Sequence, residues 1–193
     1  MTIEEILGRL KKGNENFVND QLSHEKIDAE RKKELVGGQS PFAIVLSCAD
    51  SRVVPEMAFD TGLGELFVAR VAGNVANTST IASIEYSVAH LKTKVIVVMG
   101  HESCGAVGAA VAGGDNGYNL NMLLAHVTPA LEAAPDGASV NDIVKINAQL
   151  TVKELINRSS IISDAVKAGN LAVVPAYYNF ASGEVDFLEE SMA

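Results

Sequence analysis

The sequence predicts an α/β fold built on a central, mostly parallel sheet, and two observations carry that prediction. Apolar runs of strand length recur along the chain, and helical patterns fall between them. The runs do not alternate with polar residues, so their strands are buried on both faces, as in a parallel sheet flanked by helices. About four parallel strands and one antiparallel edge strand are expected.

Taken in order, residues 2–18 set Ile3, Ile6, Leu7, Leu10 and Phe17 at helical spacing among Glu, Lys, Arg and Asn. That is an amphipathic helix. A polar, charged stretch runs on to Gln39, partly helical over 26–36 and ended by Gly37-Gly38. The apolar runs are Phe42–Cys48, Leu66–Val71, Lys94–Met99 and Leu171–Tyr178, with a short antiparallel partner at Glu184–Leu188 across a Ser182-Gly183 turn. Asn77-Thr78-Ser79-Thr80 caps a helix reaching about Leu91, and Ser139 opens another reaching about Asn157. A shorter helix over 160–167 is closed by Gly169-Asn170. The stretches 113–117 and 133–137 read as loops. With no repeat, low-complexity tract or linker, the 193 residues make one domain. It comprises an N-terminal helical arm over 1–38 and an α/β core over 39–193.

Composition removes several functions. A net charge of −9 argues against nucleic-acid or anionic-membrane partners, which need a basic face. Met1-Thr-Ile-Glu-Glu lacks the basic and apolar regions of a signal peptide, and no run approaches the roughly 18 apolar residues that span a bilayer. A cytoplasmic protein is the expectation. Its thiols stay reduced there, so two cysteines point to metal, catalysis or plain core before they point to a disulfide.

Both cysteines fall in polar clusters at strand ends. Cys48-Ala49-Asp50-Ser51-Arg52 follows the first strand, and Cys48, Asp50 and Arg52 share one face if the chain stays extended. His101-Glu102-Ser103-Cys104-Gly105 follows the third strand at the expected start of a helix, where His101 and Cys104 can converge. Ligands of open α/β sheets bind outside the carboxyl ends of the strands. Two thiolates and an imidazole suit zinc, with a fourth position left for water. A helix N-terminus beside Cys104 favours its thiolate. Two thiolates also cancel the metal's charge and make it a weaker acid toward its water. An acceptor such as Asp50, held by Arg52, can then orient the resulting hydroxide. Asp50 could instead bind the metal itself and close the site.

Each feature alone has an ordinary reading. A cysteine ending a buried strand is usually core, an isolated H-x-x-C arises by chance, and an Asp–Arg pair two apart is usually a surface contact. Their joint occurrence points to metal. His24, His90 and His126 stay outside the site, and Glu102 and Asp60 read as solvated carboxylates. The residues by themselves name no substrate, and they leave open a zinc ion that only supports folding or a binding or redox module.

With those residues in view, Cys48-x-Asp50-x-Arg52 together with His101-x-x-Cys104-Gly105 resembles the β-class carbonic anhydrases. The likeness runs through residues 39–112, including Pro55, Gly64–Val68, Arg70, Ala72-Gly73-Asn74 and Ile84-Glu85-Tyr86. The resemblance implies one zinc per subunit on Cys48, His101 and Cys104, and an Asp50–Arg52 dyad that keeps the fourth position open. It implies reversible hydration of carbon dioxide to bicarbonate. Gln39, nine residues before the first cysteine, matches a substrate-binding glutamine of the plant-type branch. Phe67 and Tyr86 map onto that branch's carbon dioxide pocket, and Gly105 onto its substrate-facing amide. Part of the lining comes from a neighbouring subunit in the family, which implies a homodimer or homotetramer. An amphipathic N-terminal helix with no evident partner in its own chain fits that arrangement. Some bacterial members carry an inhibitory bicarbonate pocket built on a Trp three residues before the first cysteine, with an Arg and a Tyr. Val45 occupies that position, the chain has no Trp, and Arg70 alone matches the Arg, so no bicarbonate-controlled switch is expected. Hydrolysis of carbon disulfide or carbonyl sulfide on the same scaffold is the nearest rival activity.

Overall fold

The computed structural model describes residues 1–188. Its sheet has five strands in the order β2-β1-β3-β4-β5, with β1 at Ala43–Ser47, β2 at Leu66–Arg70, β3 at Val95–His101, β4 at Ala172–Tyr178 and β5 at Val185–Phe187. The first four in sequence are parallel, and β5 pairs antiparallel with β4. The expected class and strand count are therefore observed.

Burial on both faces follows from the period of two along each strand. Ile44 and Leu46 of β1, with Ile96 and Val98 of β3, face a core shared with Ile81, Ile84, Ala148, Val152, Leu155 and Ile162. Those residues belong to α4 (Thr78–His90), α8 (Val140–Arg158) and α9 (Ser160–Lys167). Ala43, Val45, Val95, Val97 and Met99 face the other way, onto Ile6, Leu10, Ala58 and Phe59. These come from α1 (Ile3–Val18) and around α3 (Pro55–Ala58). Side-chain caps start the long helices: Thr2 with Glu5 on α1, Asn77 on α4, and Ser139 with Asp142 on α8. Gly100 lets α8 close on β3, because a Cβ there would strike the Val144 side chain.

The N-terminal arm departs from the expectation. α1 has a partner in its own chain, since its apolar stripe covers one face of the sheet. Asn14, buried on α1, donates to the carbonyls of Ala58 (3.0 Å) and Gly183 (2.9 Å) and accepts from the Val185 N–H (2.8 Å). Gly13 permits the seating, because a Cβ there would collide with the Phe59 carbonyl. The physical reason is the one that predicted the sheet: strands apolar on both faces need a cover on both. The helix expected over 26–36 shortens to α2 (Ala29–Glu34) followed by one 3-10 turn at Leu35–Gly37. Asp60, read as solvated, instead accepts from Asn16 and from the Ser23 N–H and hydroxyl, tying the arm to the loop after α3. Three short helices lay outside the sequence reading: α3, α6 (Tyr118–Leu124) and α7 (Thr128–Ala133).

Glu65, 8% exposed just before β2, joins the arm to the sheet. Its carboxylate accepts from Arg9 Nη2 (2.6 Å), Lys26 Nζ and the Gly62 N–H (2.9 Å). Burial alone would raise its pKa, but the Gly62 N–H, Lys26 and Arg9 outweigh it and hold the carboxyl at about 2, against 4.5 unperturbed. A depressed carboxyl stabilises the fold above its unfolded pKa, and that contribution is lost as pH falls toward the folded value. Arg9 and Lys26 are partly solvated, which screens the pair, so about 2 kcal/mol is expected rather than the full shift. Wild type should therefore be more stable than Glu65→Gln by about that much above pH ~5, with the gap closing toward pH ~2. Urea unfolding of both proteins across that range measures it, and a gap unchanged by acid would contradict the assignment.

Candidate metal centre

From β1 the chain steps to β2 on one side, then crosses to β3 on the other. The strand order therefore reverses between β1 and β3, and a crevice opens at their carboxyl ends. Cys48 follows the last residue of β1, and His101 is the last residue of β3. Ser103 takes a left-handed turn (φ 52°) and brings Cys104 to the N-cap of α5 (Gly105–Ala112). Two thiols and an imidazole thus converge on one point: their ligand atoms lie within 4.8 Å of one another.

The imidazole is poised for a metal. His101 is fully buried, and its Nδ1 lies 2.8 Å from the Glu102 carbonyl, so Nδ1 carries the proton and Nε2 the lone pair. That Nε2 is buried with no hydrogen-bond partner among the described residues. A buried polar atom left this way is costly unless something coordinates it. The thiols agree. Cys104 donates to Cys48, the N–H groups of Gly73 and Asp50 assist against burial, and together they hold the Cys48 thiol below its usual range. Cys104 is pushed up because it gives its proton to Cys48 and is buried, while the Val107 and Ala106 amides of α5 oppose this. A zinc ion in place of that shared proton would meet two thiolates and one neutral imidazole, a donor set that fits it.

The extended face expected for Cys48, Asp50 and Arg52 does not persist, because the chain turns at Ser51-Arg52. The turn brings Arg52 back onto Asp50. Arg52 Nε and Nη2 donate to the two carboxylate oxygens at 3.0 and 2.8 Å, and the Arg52 N–H adds a third bond at 2.9 Å. Those Arg52 bonds outweigh desolvation and hold the Asp50 carboxyl far below the usual carboxylate range. Its Oδ2 stands 3.9 Å from His101 Nε2, beside the point where the three donors converge. Gly105, the first residue of α5, is exposed next to Cys104.

Several groups that sequence reasoning missed hold this arrangement. Phe180, just past β4, stacks near His101 (ring centroids 5.2 Å) and carries the Arg52 guanidinium over its face at 4.2 Å. Asn147 of α8 donates to the Gly73 carbonyl, and the Gly73 N–H donates to Cys48 Sγ at 3.4 Å. Asn141 accepts from the strained Ser103 N–H. Glu102, read as solvated, accepts from the Phe180 N–H. Position past a strand end was the one available signal for Phe180. Nothing local marked the two asparagines of α8.

Comparison with known proteins decides the family. The sequence profile of the family described as Carbonic anhydrase matches residues 43–185. A relative named Carbonic anhydrase 2, from Mycobacterium tuberculosis, is 40% identical over 180 residues, covering 90% of this chain and 87% of that one. The structure of the Coccomyxa β-carbonic anhydrase in complex with acetazolamide superimposes with a TM-score of 0.76 at 28% identity, over 94% of this chain and 86% of that one. The chain belongs to the β-class carbonic anhydrases. A tetrameric β-carbonic anhydrase from Sordaria macrospora shares the fold at a TM-score of 0.74 and 26% identity, over 95% and 97% of the two chains.

Within this carbonic anhydrase fold, the expected site residues fall into two groups. Cys48, His101, Cys104, Asp50, Arg52 and Gly105 gather at the carboxyl ends of the strands. Gln39, Phe67 and Tyr86 lie toward the amino ends. Gln39 is exposed in the segment entering β1, and Phe67 pairs with Ile44 near the start of β2. Tyr86 of α4 is 49% exposed, with its ring 6.5 Å from that of Phe67. One subunit therefore does not bring this second group to its own Cys48, His101 and Cys104.

Arg70, at the end of β2, has a use of its own. Its Nε donates to the Cys48 carbonyl (2.9 Å) and its Nη2 to the Asp50 carbonyl (2.6 Å), clamping the loop that carries Cys48 and the Asp50–Arg52 ion pair. Arg70→Ala is expected to weaken zinc binding by about 10- to 100-fold. Arg70→Lys should recover only part, because one ammonium lacks the fork that spans two carbonyls. Chelator competition measures this, and unchanged affinity in Arg70→Ala would remove the clamp.

Proposed function

We propose that this carbonic anhydrase is a zinc enzyme catalysing CO₂ + H₂O ⇌ HCO₃⁻ + H⁺, with the metal held by Cys48, His101 and Cys104. One observation carries the reading: a buried, unpartnered His101 Nε2 faces two thiols, beside a carboxylate that Arg52 holds by three hydrogen bonds. When bound there, zinc lowers the pKa of water and makes hydroxide available as a nucleophile near neutral pH.

The chain's own residues do the rest. Asp50 stays ionised and accepts a proton-bearing group beside the donors, which aims a lone pair at the substrate. Arg52 takes Oδ1 twice and Oδ2 once, leaving Oδ2 one acceptor site, which supports a role outside the metal's donor set. The Gly105 amide, at the first turn of α5 and exposed beside Cys104, has no partner within its helix and is assigned as donor to a developing bicarbonate oxygen. Gln39, Phe67 and Tyr86 serve the site of a neighbouring copy: the aromatic pair offers an apolar seat for CO₂, and the Gln39 amide steadies bicarbonate. Their distance from the subunit's own donors and the tetrameric Sordaria neighbour support a homodimer or homotetramer. Gln39, together with Val45 where a Trp would stand, favours the plant-type, unswitched branch, and the commitment of Arg70 to two carbonyls agrees.

Reduced, buried Cys48 and Cys104 suit a compartment that preserves thiols, and we place the protein in the cytoplasm. Among the described residues no helix is long and apolar enough to cross a membrane. The test is metal content together with stopped-flow hydration of CO₂, set against turnover of CS₂ and COS by the same preparation. One zinc per chain with CO₂ as the preferred substrate is expected, and absent CO₂ turnover by zinc-loaded protein would overturn the reading.

A further inference from the structure

At the opposite end of the sheet from the metal centre, the segments entering β1 and β3, together with α1 and α2, enclose a cavity of about 350 Å³. Arg9, Arg31, Lys92 and Lys94 line it, and Glu65 is the carboxylate among its walls. That carboxylate is already satisfied, by Arg9 within the cavity and by Lys26 and the Gly62 N–H. Arg31 gives its Nε to the Leu63 carbonyl and its Nη1 to Glu34. Lys92 and Lys94 form no ion pair among the described residues, and the Lys94 ammonium rests 3.3 Å from the Met1 carbonyl.

Positive charge collected in a concavity is unexpected in a chain of net charge −9, whose overall field repels anions. Low-dielectric walls concentrate the local field, so this spot attracts what the rest of the surface excludes. Lys92 also holds a left-handed backbone (φ 60°) just past α4, a conformation that disfavours any residue with a Cβ. One wall is apolar. Phe42 lies under the Arg9 guanidinium at 3.9 Å, and Pro41 adjoins it with the Ser40 hydroxyl alongside.

We propose that this cavity binds a small organic phosphate, a phosphate monoester on a short carbon body. The lysines and the free edge of Arg9 take the phosphoryl oxygens by charge-assisted hydrogen bonds. The carbon body takes the volume beside the Arg9-covered Phe42 ring, and Ser40 offers a hydroxyl to it. The volume matches small-molecule sites, which run from about 300 to 1,000 Å³, and exceeds what a bare oxyanion fills.

Isothermal titration of the zinc-loaded protein in its native oligomeric state tests this, with ionic strength held fixed by chloride. The probes are glycerol 3-phosphate, inorganic phosphate and malate. Glycerol 3-phosphate should saturate at one site per chain and bind more tightly than either of the others. Lys92→Ala and Lys94→Ala, both at exposed positions, should each weaken it about tenfold or more, and Lys94→Glu should abolish it. Failure of glycerol 3-phosphate to saturate would overturn the proposal. So would equal or tighter binding of malate or inorganic phosphate, or lysine variants that bind like wild type.

Discussion

His101→Ala is expected to strip the protein of zinc and reduce CO₂ hydration to the uncatalysed background. The imidazole is fully buried, its proton is fixed on Nδ1 by the Glu102 carbonyl, and Nε2 has no other employment. Losing the imidazole leaves two thiols, too few donors to hold the ion with only water in the other positions. Metal that binds only the native state stabilises it by mass action, so zinc should raise the melting temperature of wild type and leave the variant unmoved. His101→Asn keeps most of the side-chain volume and separates loss of a donor from loss of packing; it too should be zinc-free. Protons compete with zinc for the thiolates, so wild-type zinc occupancy and hydration should rise together with pH. Either variant retaining one zinc per chain, or a hydration rate flat from mildly acid to alkaline pH, would sink the assignment.

What was legible in the sequence divides along a physical line. Strands buried on both faces declare themselves as unbroken apolar runs, so Ala43–Ser47 and Val95–His101 were placed within a residue or two. The long helices α4 and α8 were read almost to the residue, because Asn77 and Ser139 cap by contacts three residues away. The short helices escaped. At four to seven residues they hold too few turns for a period to show, and helices this short are sustained by tertiary packing. Pro55 at the start of α3 and Pro129 at the start of α7 were the local marks.

The same division runs through the site. Cys48, His101 and Cys104 stood out because two cysteines in the chain each ended a strand with a polar companion. Arg70 was legible as a residue and illegible as a role, since its partners are backbone carbonyls 20 and 22 residues away. Phe180 and Asn147 reach the site across about 80 and 74 residues of chain to His101 and Gly73. Only the folded sheet, with β1, β3 and β4 side by side, makes them neighbours. The seat of α1 was missed for a related reason: an amphipathic stripe says that a cover exists, and not which surface it covers.

Asp50→Asn carries the sharpest test of mechanism, because its effects on fold and on chemistry should come apart. Asp50 and Arg52 have side chains 18% and 55% exposed, and a pair that wet contributes about 1 kcal/mol or less to stability. The variant should therefore fold, keep one zinc per chain and melt within a few degrees of wild type. Hydration should nonetheless fall by about 100-fold, at the upper end of what a partner just outside a metal's donor set supplies. An amide has one acceptor oxygen where the carboxylate has two, and it carries no charge for Arg52 to hold. Because Arg52 keeps the Asp50 carboxyl far below the usual range, Asp50 is ionised from mildly acid to alkaline pH. The pH profile of wild type then reports the metal centre and not this group, and the Asn variant should show the same midpoint at a lower plateau. Arg52→Lys retains the cation and loses the fork, so it should fall between the two. Were Asp50→Asn to lose zinc, Asp50 would belong to the donor set. Were it fully active, the dyad would be a surface ion pair and the orientation of the nucleophile would have to come from elsewhere.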